Sequence, residues 1–128
     1  MERGRLESLV KIIIDSSYCV HSELGPGMLE KSYEICLRHE LGIRGVEADR
    51  QVKMPINYRG VILEEGYRLD LFVEKEVIVE VKAVERILPV HKAQLLSYLK
   101  MAEKRIGLLI NFNVPRLRGS INRVVNGL

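Results

Sequence analysis

Three ionisable residues stand where strands belong: Asp70 in YRLDLFV, and Glu80 and Lys82 in VIVEVKA. A strand of β-branched residues without an internal turn-former is the kind that is covered on both faces. Charges placed there must be paired or bound to something. Alternation at period two puts Glu80 and Lys82 on one face with Ile78, and Val77, Val79, Val81 and Ala83 on the other. In the preceding run, Tyr67, Leu69, Leu71 and Val73 share one face, while Arg68, Asp70 and Phe72 share the other. The short charged turn EKE at 74–76 joins the two runs. Counting outward from Lys75 sets Asp70 opposite Glu80, with side chains about 5 Å apart on one face. Two carboxylates so placed repel unless a cation sits between them. Carboxylate oxygens are hard ligands and select Mg2+ or Mn2+, leaving coordination positions for water and a phosphate oxygen. Lys82 beside them would donate to a phosphate or orient an attacking water. These parts suit hydrolysis of a phosphodiester. Two plainer arrangements stand beside it: an edge strand with an ion pair along one face, and a structural acid cluster paired with Lys82 and Arg68.

Glu30 is a third carboxylate candidate. On a helix it borders the apolar stripe of Tyr33 and Leu37 and looks toward whatever that helix packs on. The alternative is a first-turn acid favoured by the helix macrodipole and turned to solvent.

The elements that must carry these residues follow from periodicity. Leu6, Leu9, Val10, Ile13, Ser17, Val20 and Leu24 recur at helical spacing and predict a first helix. GPG at 25–27 stops it, and a second helix is expected from Met28 to about Leu41, with Gly42 as its stop. The glycines of GPG read either as a helix break or as room for close approach to the sheet or a phosphate. From Val52 the period becomes two. Val52, Met54, Ile56 and Tyr58 form one strand, NYRG at 57–60 turns, and VILEEGYRLDLFV forms a second, interrupted near Gly66. With VIVEVKA this makes a three-stranded meander. Pro89 opens a helix to about Glu103 with Leu95, Leu99 and Ala102 inward. RIGLLINF is a further buried strand, and residues 121–125 form a short last one. The order demands a mixed sheet in which one strand returns after a crossover helix, an α/β sandwich.

Size and composition set outer limits. At 128 residues the chain is one domain, residues 1–128, able to fold alone or as a small oligomer such as a homodimer. It is 47% apolar and 29% charged, an ordinary globular composition. A net charge of +3 is compatible with a polyanionic partner but far from that of a nucleic-acid-coating protein. MERGRLESLVKIII lacks the pattern of a signal peptide, and no window supplies the roughly 20 apolar residues of a membrane span, so a cytoplasmic protein with no membrane partner is expected. Cys19 and Cys36 then read as small core residues rather than a disulfide. Cys19 and His21, two apart on a helix, point in opposing directions and do not chelate zinc together.

Taken with Asp70 and the Glu80-x-Lys82 pair, GMLEKSY at 27–33, of the form Gly-x-x-Glu-x-x-Tyr, closely resembles the GxxExxY proteins of the PD-(D/E)XK nuclease superfamily. The resemblance spans about residues 14–112. It implies a restriction-endonuclease-like αβββαβ core, a mixed central sheet flanked by helices. It implies Asp70 and Glu80 as metal ligands, with Glu30 completing the site and the Val81 carbonyl as a further ligand, and Lys82 as the catalytic lysine. HKAQLLSYLK resembles the Gln-x-x-x-Tyr element of the RecB-type branch, which implies substrate contacts for Gln94 and Tyr98. Their i, i+4 spacing places both on one helix face. Tyr98 reads equally as an aromatic at the edge of the core. The proline often preceding the strand acid in the superfamily is here Leu69. His91 and Lys92 at the start of the crossover helix read as solvated surface ahead of phosphate contacts. A Mg2+- or Mn2+-dependent nuclease acting on DNA, ahead of RNA, is the leading expectation. A non-catalytic nucleic-acid-binding or assembly module with the same fold is the alternative.

Overall fold

The computed structural model describes residues 1–64 and 66–128. Helix α1 (Arg3–Leu24) and helix α2 (Glu30–Ile43) are followed by strand β1 (Ala48–Lys53), the short strands β2 (Ile56–Tyr58) and β3 (Val61–Leu63), then β4 (Arg68–Val73) and β5 (Val77–Lys82). Helix α3 (Pro89–Ala102), β6 (Ile106–Asn111) and β7 (Ile121–Val125) complete the chain. The main sheet has the order β1-β4-β5-β6-β7. Its β5–β6 pair is parallel and the others are antiparallel. This is the restriction-endonuclease-like arrangement expected: a mixed sheet with α1 and α2 packing on one core cluster and α3 on another.

The first cluster takes Leu6, Leu9, Ile13, Tyr33 and Leu37 from the helices and Val77, Val79, Val81, Leu108 and Ile110 from the sheet. The second takes Leu95, Tyr98 and Leu99 from α3 with Ile78 and Leu109. Alternation along β5 and β6 thus feeds both layers, which is why these strands read as continuous apolar runs. At Gly107 the sheet meets α3 so closely that a Cβ would lie 2.7 Å from Leu95 Cδ1.

Several expected boundaries shift. Gly42 lies inside α2; the turn comes at Gly45, whose φ of 76° only glycine adopts freely. The strand drawn through 52–58 is divided, and the one drawn through 61–73 breaks near Gly66 as expected. Pro55 has no N–H to continue a ladder, and Gly66 at φ 102° redirects the return chain. The segment between becomes a separate hairpin, β2–β3, tipped by Arg59 and Gly60, both at positive φ. The ladder still reaches its foot, where the Met54 N–H donates to the Tyr67 carbonyl at 2.9 Å.

A further departure concerns faces. Leu71 and Val73 pack under α1 and α2, whereas Leu69 packs under α3. Opposite, Ala48 belongs to the first cluster and Val52 packs against the second. Strict alternation would keep each pair on one side. The switch falls between them on both strands, at Gln51 and Asp70.

Candidate active site

The β1–β4 register pairs Arg50 with Leu71 and Val52 with Leu69, and Gln51 and Asp70 between them form no ladder pair. Gln51 sits at φ 53°, a left-handed conformation that costs a non-glycine residue about 1–3 kcal/mol. On the other side, the β4–β5 ladder runs from Val73–Val77 to Leu71–Val79 and stops short of Asp70. β5 nevertheless stays paired with β6 through Glu80–Leu109, Val81–Ile110 and Lys82–Asn111. The sheet therefore opens at Asp70 while its neighbour β5 remains anchored.

Side chains fill the opening. The Asp70 N–H donates to Glu80 Oε2 at 2.8 Å, and the Val81 N–H donates to Asp70 Oδ2 at 2.8 Å. Each carboxylate takes the place of a missing ladder carbonyl. Glu80 is only 5% exposed, and burial followed by the charge of Asp70 pushes its carboxyl up to about 8. Burial likewise lifts Asp70 to about 6, with the charges of Glu34 and Glu30 adding to it and the Val81 N–H and Lys82 opposing it. The two acids titrate as a pair. Such a pair of hard oxygen donors, whose joint ionisation the surroundings resist, fits a divalent cation. Among the described residues no group of three or more His, Cys, Asp or Glu side chains stands in a metal-holding arrangement; Asp70, Glu80 and Glu30 each turn one carboxylate oxygen onto a backbone N–H.

Because Asp70 sits at the face switch, it borders cavities on both sides of the sheet, and Lys82 borders the same two. The cavity toward α3, about 620 Å3, also holds Glu80, Gln94 and Tyr98. The cavity toward α2, about 410 Å3, holds Glu30, Glu34, Gln51 and Val81. Of the six side chains singled out from the sequence, Asp70, Glu80, Lys82, Gln94 and Tyr98 meet in the first cavity, and Glu30 meets Asp70 and Lys82 in the second.

Glu30 is the first residue of α2 and exposed, and its Oε1 accepts from the Ala83 N–H at 3.2 Å, just beyond β5. The buried acid of this helix is Glu34, one turn on, 4% exposed. It accepts from Arg50 Nε at 3.1 Å and Gln51 Nε2 at 2.8 Å. Sequence reasoning missed Glu34, Arg50 and Gln51. The i, i+4 spacing from Glu30 was the available signal for Glu34; a left-handed glutamine inside a strand leaves none.

The tyrosine of GMLEKSY has a clear mechanical role. Tyr33 is buried, stacked on Phe112 with ring centroids 4.6 Å apart, and its hydroxyl donates to the Gly25 carbonyl at 2.6 Å and accepts from the Met28 N–H at 3.1 Å. It pins the turn that starts α2 and so places Glu30. Gly25 and Gly27, at φ 66° and 96°, would have nothing within 4 Å of an added Cβ, so the turn geometry requires them and close approach does not. His91 accepts at Nδ1 from the Leu88 N–H at 3.0 Å and caps the start of α3. Tyr98 is nearly buried, and burial together with the charges of Glu80 and Asp70 raises its hydroxyl, keeping the phenol neutral beside the acids.

The sheet is thus a mixed α/β sheet that opens at one acid and carries a second acid and a lysine on the adjoining strand. The family model of the PD-(D/E)XK nuclease superfamily matches residues 7–124, and the chain belongs to that superfamily. No curated protein and no solved structure is a match. Membership implies a nucleic-acid substrate, and PD-(D/E)XK nucleases typically use divalent metals. No helix among the described residues is long and apolar enough to cross a membrane.

Proposed function

We propose that this chain is a Mg2+- or Mn2+-dependent nuclease that hydrolyses phosphodiester bonds, in DNA ahead of RNA, and that within its superfamily it is a GxxExxY protein. The observation that carries the reading is the meeting of Asp70, Glu80 and Lys82 at a break in the sheet that opens to solvent on both faces. The subfamily reading rests on Gly27, Glu30 and Tyr33.

Asp70 and Glu80 would hold the cation, with the Val81 carbonyl and Glu30 as further oxygen donors. When bound, the cation supplies Lewis-acid activation of water and neutralises charge on the phosphate. Lys82, shared by both cavities, orients the attacking water or donates to a phosphate oxygen. Gln94 and Tyr98 contact the substrate from α3. Glu34, fixed by Arg50 and Gln51, adds negative potential behind Asp70 and favours cation uptake.

The experiment is cleavage of single-stranded, duplex and branched DNA and of RNA with Mg2+ or Mn2+. Asp70→Asn and Lys82→Ala are expected to lower the rate by on the order of 10²–10⁴-fold, and chelator to stop it. Cutting that survives both substitutions overturns the reading. A second reading, a non-catalytic nucleic-acid-binding or assembly module, draws on the reciprocal bonds that turn both carboxylates onto backbone N–H groups. Binding without cutting across all substrates and metals selects it.

A further inference from the structure

The cavity toward α3 has a wall the proposed chemistry does not use. Its outer side is the foot of the β2–β3 hairpin, which contributes Lys53, Tyr67 and Arg68, while Asp70, Glu80 and Lys82 form its inner end. Glu64 adds one carboxylate to this wall against Lys53 and Arg68. Tyr67 is 39% exposed, although its ring meets Tyr98 at 6.3 Å between centroids. The two rings stand at 73°, so Tyr98 holds Tyr67 edge to face without stacking flat on it. At the hairpin tip Tyr58 is also exposed, with the Arg59 guanidinium 5.9 Å from its ring centroid.

Aromatic and basic side chains, Tyr67 with Lys53 and Arg68, therefore stand together on the cavity wall beside the acids, and Tyr58 with Arg59 repeat the pairing at the hairpin tip. That is the composition of a surface that stacks bases and tracks a backbone without reading sequence. The cavity, about 620 Å3, falls in the roughly 300–1,000 Å3 range of pockets that enclose one small ligand. A base inside a duplex has both faces covered by its neighbours and offers none to Tyr67. Glu80 at the inner end is almost wholly buried, so a phosphate must enter the recess to reach it. A duplex reaches such a recess only by kinking or opening, at a deformation cost that an unpaired strand does not meet.

Resting on the nuclease reading, we propose that this cavity is a subsite for one unpaired nucleotide, that Tyr67 is its stacking platform with Lys53 and Arg68 on the flanking phosphates, and that the substrate is single-stranded or locally unpaired nucleic acid. The base enters beside Tyr67 and its phosphate is drawn toward Lys82 and the acid pair.

The test compares Tyr67→Ala and Tyr67→Phe in three assays. In a Lys82→Ala background, fluorescence anisotropy with labelled oligothymidylate and with a labelled blunt duplex reads binding without cutting. In otherwise native protein, hydrolysis with Mn2+ of a dimer of two abasic tetrahydrofuran sugars reads the chemistry on a small phosphodiester that has no base and no aromatic ring. Tyr67→Ala is expected to weaken single-strand binding about tenfold or more, within the range for one base–aromatic stack. Tyr67→Phe should restore it, and duplex binding and the small diester should be unmoved. Equal loss on both nucleic acids, or no loss on the single strand, overturns the subsite. Failure of every protein to cut the diester and any of the nucleic acids overturns the nuclease reading instead, and the binding contrast still decides the subsite.

Discussion

The two sides of β5 are built differently. Toward β6 the pairing is parallel, in register over six residues, and every residue of β6 is buried. Toward β4 the ladder ends after three pairs, and one strand further out Gln51 and Asp70 leave it together. Glu80 and Lys82 ride on the continuous side and Asp70 on the interrupted one. A site built this way joins a fixed reference to an element free of the pleat, and that freedom is what lets one strand residue border cavities on both faces of a sheet. Order is supplied where geometry must hold, and interruption where reach is needed.

The contrast can be broken most forcefully from its continuous side. Leu95 of α3 is fully buried and packs onto Gly107 of β6. Leu95→Ala is expected to cost about 2–5 kcal/mol in denaturant unfolding. A loss below 1 kcal/mol would show that this side is not the rigid one. The interrupted side responds with the opposite sign to a glycine. Gln51→Gly removes the left-handed penalty and should leave stability unchanged or raised by up to about 1 kcal/mol, whereas Gln51→Val should cost about 1–3 kcal/mol. Both lose the amide that donates to Glu34, so both should cut more slowly. A glycine variant that is stable and fully active would mean the glutamine serves only the backbone.

The smallest effect is in pH. Asp70 and Glu80 keep protons in the folded protein that the unfolded chain has already released, so the stability they contribute is full below the ordinary carboxylate range. In metal-free protein it declines as pH rises through about 6 and then about 8. Glu80→Gln should flatten the upper part of that decline in thermal melts, and Asp70→Asn should remove the lower part and draw the upper part to lower pH, because the charge of Asp70 helps hold Glu80 up. A melting temperature level from pH 4 to 9 in the metal-free protein would mean the acids are not strained by their surroundings.

Much of this architecture is legible in the chain because it is written in periodicity. The helical stripe from Leu6 to Leu24, the apolar run of RIGLLINF and the turn at EKE each determine one element, and together they place Asp70 across from Glu80. The break at Gly66 is legible, but the period-two pattern of Val52, Met54, Ile56 and Tyr58 runs straight through Pro55, and only three dimensions show β2 and β3 leaving the sheet as a hairpin. Faces failed at residue 69 for a sharper reason. Alternation presumes an unbroken pleat, and nothing in the letters Gln51 and Asp70 announces that the pleat breaks there. Glu34 was passed over because its neighbour Glu30 already stood beside the apolar stripe, and burial of the second acid depends on Arg50 and Gln51 arriving from another strand.

The reciprocal bonds at the opening, Asp70 N–H to Glu80 and Val81 N–H to Asp70, have one more consequence. They couple two amide protons to the state of two carboxylates. Any ligand that draws the carboxylates away must release those protons, moving their resonances and speeding their exchange with water while the amides of β6 stay as they were. The main chain is thus a built-in gauge of occupancy, readable by NMR before any bond is cut.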